Sequence, residues 1–578
     1  MLIISDTEAI QHILTGLNLQ GQNRHPRFAC YLGAGASVEA GVKMASQICN
    51  DIYNELLTTR VLAVDSEEQI QALNKLLKWK DQSLRYVTCI KERYPDPSLR
   101  VDYFRNLLRS IGPSFAHHAI ALLMKHRYFK NTCLTTNFDK LLESAFIQQG
   151  DSECQPIRNA EESKFWLQEE DRHYVIKLHG DYDTHNVLNT SEETASISEQ
   201  LETDVSTLLD AAGLVVIGTA GYEKSVHTLF DQLSKKAGKT LRSGLLWGVY
   251  VGPSKPEGLT KGDIEALVRQ QLDRGEVSGD IMRMIEWTNP KERLFCFFPV
   301  WGAGNFLYDL IKATGNKALK GSADLYLDRE MRLRQVFKDV GLADDAIKKH
   351  LSRLELKRTL FKGSLGSRQS PEQVYKATSK TTRSEIRILY GDITSRSFMA
   401  HQDFRQLRRA VVSPDDTFIT AGGGVAEGFL VKAGQRYILN EVAKFSPINQ
   451  GSVAVTSAGN LPVHHIFHAA AIKVETDASY SVSKQSVYDS MLATLQKASA
   501  LEIGALWVPL MGTGVAGLPA DESFGGILEA ICKWESTNAG SMIIMVFIYK
   551  HTLLETHDVF QLMQAKLAQQ FTIEKASA

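Results

Sequence analysis

"YLGAGASVEAG", residues 31–41, stands between an apolar run and an amphipathic stretch. Its closely spaced glycines, Gly33 and Gly35, lie where a strand would pass into a helix. Such a loop can bring backbone N–H groups close to a phosphate, and the helix amino terminus adds a favourable dipole. A tight turn without a ligand would use the same residues. The third glycine of a dinucleotide fingerprint would fall at Val38, so the stretch alone leaves both interpretations open.

Short apolar runs separated by helical patterns occupy residues 28–310. They read FACYLG, TCLTTN, YVIKLHG, LVVIG, LLWGVYVG and LFCFF. This alternation predicts an open α/β domain whose parallel sheet is covered on both faces. Ligands of such domains bind beyond the carboxyl ends of the strands. The residues that close each run are therefore the candidate site residues.

The rest of the chain changes character twice. Residues 316–380 are charged and helical in period, which predicts a helical connector with a hinge or loop at KGSLGSRQSPEQ. A second alternating pattern then predicts a second α/β domain with a mixed sheet. Its runs are EIRILYGDI, VVSPDD, GSVAVTSAG, HHIFHAAAI, GALWVPLMGTG and SMIIMVFIYK. The predicted boundaries are 1–315 for the first domain, 316–380 for the connector and 381–578 for the second domain.

Composition limits the partners. The 578 residues exceed what one core organises, and 65 Lys and Arg against 66 Asp and Glu give a net charge of -1. No global field would recruit nucleic acid or a membrane, so neither is expected as a partner. The apolar run SMIIMVFIYK is about half a membrane span, and a cytoplasmic location is expected. The 7 scattered cysteines include no C-x-x-C pair, so no metal is expected.

The motifs GAGAS, TTNFD, KLHG and IGTAG follow successive predicted strands of the first domain. In this order they resemble the sirtuin-like family of NAD-consuming, Rossmann-type domains. The resemblance implies NAD+ as substrate, Asn137 beside the nicotinamide ribose and His179 as the catalytic base. It also implies a nucleotide-binding set formed by Gly33, Ala34, Gly35, Ser37, Thr136, Asp139, Gly218 and Gly221. A neutral imidazole suits proton transfer near pH 7, and an amide orients a hydroxyl without adding charge.

The same stretch also departs from one branch of that family. Protein-deacylating sirtuins carry a four-cysteine zinc module and a segment with proline and arginine after the glycine loop. Here VKMASQI follows Gly41, and there are no cysteine pairs. This difference favours the branch that degrades NAD, which is known from bacterial anti-phage effectors.

Glycine loops recur in the second domain, at AGGGVAEG and MGTGVAG, downstream of LYGDI. Together they resemble the macro domain, an ADP-ribose-binding fold. The implied ligand-binding residues are Asp392, Ile393, Gly422, Gly423, Gly424, Val425, Gly512, Thr513, Gly514 and Val515. Hydrolytic macro domains often carry Asn-Ala-Ala-Asn before the triple glycine, where this chain has Ser413, Pro414, Asp415 and Asp416. They often carry Asp shortly after it, at the position of Ala426. Binding without hydrolysis is therefore expected.

An NAD-cleaving domain joined to an ADP-ribose reader resembles Thoeris-type anti-phage effectors. The resemblance implies an NAD+ hydrolase activated by an ADP-ribose-derived signal, made by a Toll/interleukin-receptor-type partner enzyme. A homo-oligomer is expected as the regulated form. Two alternatives stay open at this point: an ADP-ribosyl hydrolase or transferase acting on proteins, and a sensor or scaffold without catalysis.

Overall fold

A computed structural model of the protein describes most of the chain in two compact units. The first unit contains Met1–Glu330 and Leu351–Gly363, and the second contains Met331–His350 and Ser364–Ala578. The described residues are 2–15, 17–20, 23–58, 82–108, 111–150, 154–163, 172–181, 186–187, 199–210, 212–223, 226–230, 241–287, 294–339, 341–349, 351–352, 355, 371–421, 424–475, 479–514, 516–538, 540–549 and 553–576. Both units are α/β, as the alternating runs predicted.

In the described part of the first unit, seven strands form one sheet in the order β11-β10-β9-β3-β4-β6-β5, and all neighbouring pairs are parallel. Two short antiparallel pairs, β1-β2 and β7-β8, lie outside it. The strands are β1 (Asn18–Gln20), β2 (Asn23–His25), β3 (Phe28–Leu32), β4 (Thr132–Thr135), β5 (Gln155–Ile157), β6 (Tyr174–Lys177), β7 (Gly180–Asp181), β8 (Asn186–Val187), β9 (Gly213–Ile217), β10 (Leu245–Tyr250) and β11 (Phe295–Val300).

Helices cover both faces of this sheet, which explains why most of its strands are buried along their full length. Along β3, Cys30 and Leu32 pack into one core cluster, whereas Ala29 and Tyr31 pack into another. The helices of this part are α1 (Asp6–Thr15), α2 (Ala45–Thr58), α3 (Gln82–Arg93), α4 (Pro97–Leu108), α5 (Phe115–Lys125), α6 (Leu141–Gln148), α7 (Ala160–Ser163), α8 (Glu199–Asp210), α9 (Lys261–Asp273), α10 (Gly279–Trp287), α11 (Ala303–Ala313) and α12 (Lys317–Asp339). A 3-10 helix occupies Ala34–Ala40, directly after the glycine loop.

The second unit is built on a mixed sheet. Its described strands follow the order β15-β16-β14-β18-β19-β13-β12-β20, with β17 paired to β16. They are β12 (Glu372–Ser379), β13 (Glu385–Tyr390), β14 (Arg409–Asp416), β15 (Val453–Ser457), β16 (His465–Val474), β17 (Tyr480–Ser481), β18 (Ala505–Pro509), β19 (Ile543–Ile548) and β20 (Phe571–Lys575). The helices are α13 (Arg396–Met399), α14 (Gly424–Ala433), α15 (Gln435–Val442), α16 (Lys484–Ala500), α17 (Ala520–Glu535) and α18 (Thr556–Leu567), with a 3-10 turn at Gln402–Phe404.

The predicted connector is only partly helical. Helix α12 occupies its first third, but β12 lies inside the predicted range 316–380 and pairs with β13 and β20. The second sheet therefore begins before residue 381. Strand β12 escaped detection because its sequence, EQVYKATS, alternates polar and apolar residues as a half-buried strand does, instead of forming an apolar run. Most of the predicted hinge, residues 362–370, lies outside the described residues.

Candidate functional sites

The four motifs of the first unit meet at one edge of the sheet. GAGAS follows β3, TTNFD closes β4, KLHG closes β6 and IGTAG follows β9. These strands are consecutive in the order β9-β3-β4-β6, and their pairs are parallel, so their carboxyl ends share an edge. Ligands bind at this edge in open α/β sheets.

Gly33 and Gly35 pack directly against Gly218. A Cβ atom on Gly33 would stand 2.5 Å from the Gly218 carbonyl oxygen, and one on Gly35 would stand 2.9 Å from it. Their backbone N–H groups donate to Ile217 (2.9 Å) and Gly218 (2.7 Å) carbonyls respectively. The glycines therefore permit a close approach of two backbones, and Gly218 itself has a positive φ of 79°. Contact of Gly33, Ala34 and Gly35 with a pyrophosphate remains a prediction.

Ser37 is the centre of a buried hydrogen-bond network. Its hydroxyl donates to Asp139 Oδ2 (3.0 Å) and accepts from Asn137 Nδ2 (3.2 Å). Its third partner is His117 Nε2, at 3.3 Å. The Ser114 backbone N–H donates to His117 Nδ1, so the neutral ring carries its proton on Nε2 and donates to Ser37. Ser37 thus fills its hydrogen-bonding capacity within the protein.

Asn137 is left with an unused acceptor. Its backbone N–H donates to Thr135 Oγ1 (2.9 Å), and its Nδ2 is engaged by Ser37. Its Oδ1 is buried and has no hydrogen-bond partner among the described residues. An unsatisfied buried acceptor costs about 1–3 kcal/mol, and a bound hydroxyl would remove that cost. The orientation of Asn137 therefore suits a ligand with a hydroxyl group.

His179 follows β6 and is 5% exposed. Its ring lies 6.4 Å from the ring of Phe138, the residue after Asn137. Burial lowers the pKa of His179 to about 4, so its imidazole is neutral at pH 7. The structure thus brings the two predicted catalytic residues to neighbouring strand ends. Thr136 lies there as well and accepts from the Tyr31 hydroxyl (3.4 Å).

Two buried residues of this site were not predicted from the sequence. One is His117, whose pKa burial lowers to about 3. The other is Lys177, whose ammonium group is completely buried under the same edge. Both residues could have been noticed as polar residues inside otherwise apolar elements. His117 is the first His of FAHHAIALL on α5, and Lys177 is the last residue of YVIK in β6.

The residues predicted for the second site also follow parallel strands. Asp392 and Ile393 follow β13, Gly424 and Val425 follow β14, and the Gly512 loop follows β18. Strands β14, β18, β19 and β13 are parallel neighbours, so these loops share one edge of the sheet. Gly422, Gly423 and Val515 lie outside the described residues.

The glycines of the second site differ in what they require. Gly512 has a φ of +76°, and a Cβ there would stand 2.7 Å from Val482, so both conformation and space demand glycine. A Cβ on Gly514 would meet no atom within 4 Å, and its φ is not positive. Gly514 is exposed, next to the half-buried Thr513. Asp392 uses its carboxylate locally, because Oδ1 accepts from the Thr394 N–H (2.8 Å) and hydroxyl (2.7 Å).

Asp415 and Asp416 hold the loop that leads to Gly424. Asp416 Oδ1 accepts from the N–H groups of Phe418 (2.9 Å) and Thr420 (3.2 Å), and its Oδ2 accepts from the Thr420 hydroxyl. Asp415 Oδ1 accepts from the Ala421 N–H (3.1 Å). The loop needs such support because Ile419 and Ala421 have φ values of 50° and 46°, which are unfavourable for residues with side chains.

Asp415 is fixed in turn by a buried pair. Its Oδ2 accepts from Ser413 Oγ (2.7 Å) and His468 Nδ1 (2.9 Å). Burial raises the pKa of Asp416 to about 6. Both carboxylates therefore accept from backbone N–H groups of their own loop, and binding without hydrolysis at this site stays a prediction.

The fold and the first site are typical of α/β proteins that bind nucleotides. A family model for a SIR2-like domain matches residues 131–263, and one for a macro domain matches residues 412–525. The chain therefore joins a SIR2-like domain to a macro domain, as the motif resemblances predicted. This pair indicates a function related to NAD or ADP-ribose.

Relatives match parts of the chain. An uncharacterised protein of Sulfurisphaera tokodaii is 27% identical over 195 residues, covering 32% of this chain and 96% of that protein. One of Saccharolobus solfataricus is 31% identical over 141 residues, covering 23% of this chain and 70% of that protein. The chain belongs to the same family as the latter protein.

Solved macrodomain structures are similar to part of this chain at lower sequence identity. The Trypanosoma brucei macrodomain in complex with ADP-ribose is 20% identical, with a TM-score of 0.25, covering 31% of this chain and 69% of that one. The Oceanobacillus iheyensis macrodomain with MES bound is 18% identical, with a TM-score of 0.25, covering 34% of this chain and 97% of that one.

No helix among the described residues is long and apolar enough to cross a membrane. Within the same residues, no group of three or more His, Cys, Asp or Glu side chains could hold a metal ion.

Proposed function

We propose that the chain is an NAD+ hydrolase that converts NAD to ADP-ribose and nicotinamide in its first unit. The observation that supports this most is the buried Asn137 Oδ1, which lacks a partner among the described residues. Asn137 follows β4, and the neutral His179 follows the neighbouring strand β6. An acceptor in this position fits a ribose hydroxyl. A phosphate oxygen would not fit, because it is itself an acceptor.

The reaction breaks the bond between nicotinamide and ribose, and water supplies the hydroxyl group of the ADP-ribose product. Positive charge develops on the ribose as the bond lengthens. Asn137 would hold a ribose hydroxyl or the attacking water through Oδ1, since Ser37 already fixes its other amide atom. His179, neutral at pH 7, would accept the proton that the attacking water releases.

The second unit would bind the activating nucleotide, an ADP-ribose derivative, and would not cleave it. Asp415 and Asp416 support this assignment because their oxygens accept from the loop itself. Gly514 is exposed, with no described atom within 4 Å of a Cβ placed there, and the backbone N–H groups of such a glycine loop would suit a diphosphate.

As a whole, the protein would be an anti-phage effector of the Thoeris type, acting as a homo-oligomer in the cytoplasm. A Toll/interleukin-receptor-type enzyme would make its signal. A ligand activates only by preferring the active state, and a shift from 1:99 to 99:1 needs about 5.5 kcal/mol of preference. Several second units in one oligomer could supply it together.

The test is nicotinamide release from NAD by the purified full chain, with and without ADP-ribose, cyclic ADP-ribose and related nucleotides. Wild-type protein is expected to release nicotinamide in a nucleotide-dependent way, whereas Asn137→Ala is expected to release none. His12→Ala, at an exposed histidine of α1, is the matched control and should behave as wild type. NAD binding without release under every condition would contradict the proposal and favour a sensor.

A further inference from the structure

Lys177 is the last residue of β6, and its side chain is completely buried. Its Nζ donates to the backbone carbonyl of Asp139, in the loop after β4. It also forms ion pairs with Glu143 Oε1 on α6 (3.0 Å) and with Asp181 Oδ2 on β7 (3.3 Å). The ammonium group therefore lies close to oxygens from three different elements.

The cluster contains two cations among several carboxylates. Lys177 faces Glu143 and Asp181, and Arg158 lies 3.5 Å from Asp181 Oδ2 and 3.2 Å from Glu162 Oε1. Burial alone would lower the pKa of Lys177, but the carboxylates of Glu143, Asp181 and Asp139 raise it above its ordinary value. Lys177 is therefore a cation in the folded protein.

The contacts of Lys177 lead to both predicted catalytic residues. Lys177 binds the backbone carbonyl of Asp139, and the carboxylate of Asp139 accepts a hydrogen bond from the Ser37 hydroxyl. Ser37 in turn accepts a hydrogen bond from Asn137 Nδ2. His179 follows Lys177 by two residues on the same strand end. The backbone of Leu178 donates to the Thr135 carbonyl (2.8 Å), which joins the two strand ends a second time. Lys177 is thus the side chain that ties the Asn137 loop to the His179 strand.

We propose that Lys177 is a positioning residue that sets the distance between Asn137 and His179, and so governs turnover more than NAD binding. This inference rests on the proposed NAD hydrolysis. Groups that act together must be held to within about 0.5 Å, and small misplacements lower the rate more than the affinity.

The experiment compares kcat and KM for NAD in the full chain, under the condition in which wild type is fastest. Lys177→Met alone leaves Glu143 buried and uncompensated and can prevent folding. The decisive variant is therefore Lys177→Met with Glu143→Gln. It removes one ion pair as a neutral unit and retains the Arg158–Asp181 pair. Lys261→Met, at an exposed lysine paired with Glu8, is the control.

The double variant is expected to fold, with its unfolding midpoint within a few degrees of wild type. Its kcat should fall at least tenfold while KM changes less than threefold. If wild type is active and the double variant has the same kcat, the role of Lys177 is overturned and the proposed function is not. A tenfold rise in KM at unchanged kcat would overturn it too. A wild type that releases no nicotinamide overturns the proposed function, and this inference with it.

Discussion

The two sites lie at equivalent edges of their sheets but use polar side chains in different ways. In the first unit, Ser37 binds Asp139, His117 and Asn137 Nδ2, and Asn137 Oδ1 has no partner among the described residues. In the second unit, Asp415 and Asp416 accept N–H groups of their own loop. The first arrangement leaves the Asn137 Oδ1 acceptor available to a ligand, whereas the second stabilises the backbone conformation of the loop after β14.

This difference separates a catalytic candidate from a binding candidate. A polar residue at a strand end can reach a ligand only when its neighbours leave an atom unused. Asn137 meets this condition, and Asp416 does not. The pairing of side chains, and not their type or position in the strand, therefore distinguishes the two sites.

The largest expected effect that tests the difference between the two sites is that of His179→Ala on catalysis. Loss of a positioned base lowers a rate by about 10²–10⁴, so nicotinamide release should fall by that factor. The measurement is initial rate by chromatography at saturating NAD, with His12→Ala as control. A loss below tenfold would remove His179 from the chemistry and make the first site resemble the second.

A second prediction concerns pH. Since the pKa of His179 is about 4, its neutral form persists well below pH 6.5, and release at pH 5 should stay within twofold of release at pH 7. An ordinary histidine would be mostly protonated there, and the rate would drop about 30-fold. The pH–rate profile of kcat measures this, and an acid limb centred near 6.5 would contradict it.

The stability of the first unit must be followed in the same experiment. Folding lowers the pKa of both His117 and His179, so the folded state binds fewer protons than the unfolded state below about pH 6.5. Their contribution to stability is present above that pH and is lost as pH falls towards 4 and then 3. Circular dichroism at each pH separates unfolding from protonation of the site.

The second site can be tested without disturbing its fold through Gly514→Val. A Cβ atom at this exposed position would meet no described atom within 4 Å, so the unfolding midpoint is expected to stay close to that of wild type. A ligand phosphate seated on the loop would be displaced, and the affinity for ADP-ribose at this site should fall tenfold or more. Titration calorimetry in the Asn137→Ala background measures the affinity of the second site for ADP-ribose while the first site is impaired. Unchanged affinity would place the ligand elsewhere.

The neighbouring aspartates offer the smallest test, with effects of opposite sign. Burial raises the pKa of Asp416 to about 6, so its ionised form is unfavourable in the folded state above that pH. Asp416→Asn should stabilise the second unit by about 1–2 kcal/mol at pH 8 and by much less at pH 4, where the carboxyl is already protonated.

Asp415→Asn should destabilise the same unit at pH 8 by about 1–3 kcal/mol, because its amide nitrogen would replace the oxygen that accepts from both Ser413 and His468 Nδ1. An amide nitrogen at residue 416 would face only the Thr420 hydroxyl, which can also accept, and Oδ1 would keep both N–H groups. Calorimetric unfolding of the full chain at both pH values measures the two variants side by side. A change of the same sign in the free energy of unfolding for both variants would contradict the different roles assigned to Asp415 and Asp416.

Much of the fold follows from local pattern. The fully apolar runs of β3, β4, β6, β9, β10 and β11 predicted a parallel sheet, and the glycine loops marked both strand edges before any contact was known. Strand β12 was missed because its alternating burial left no apolar run, and the proposed connector was too long as a result.

The two α/β units and the order of the strand-end motifs could thus be predicted from the sequence, whereas the catalytic roles of Asn137 and His179 stay predictions. Tertiary structure decided which atoms are free. Ser37 meets its three partners across 80 to 102 residues of chain, and Lys177 joins elements that no local spacing connects. Local periodicity records which face of an element is buried, whereas hydrogen bonds between distant residues arise only when strands become neighbours in the folded sheet.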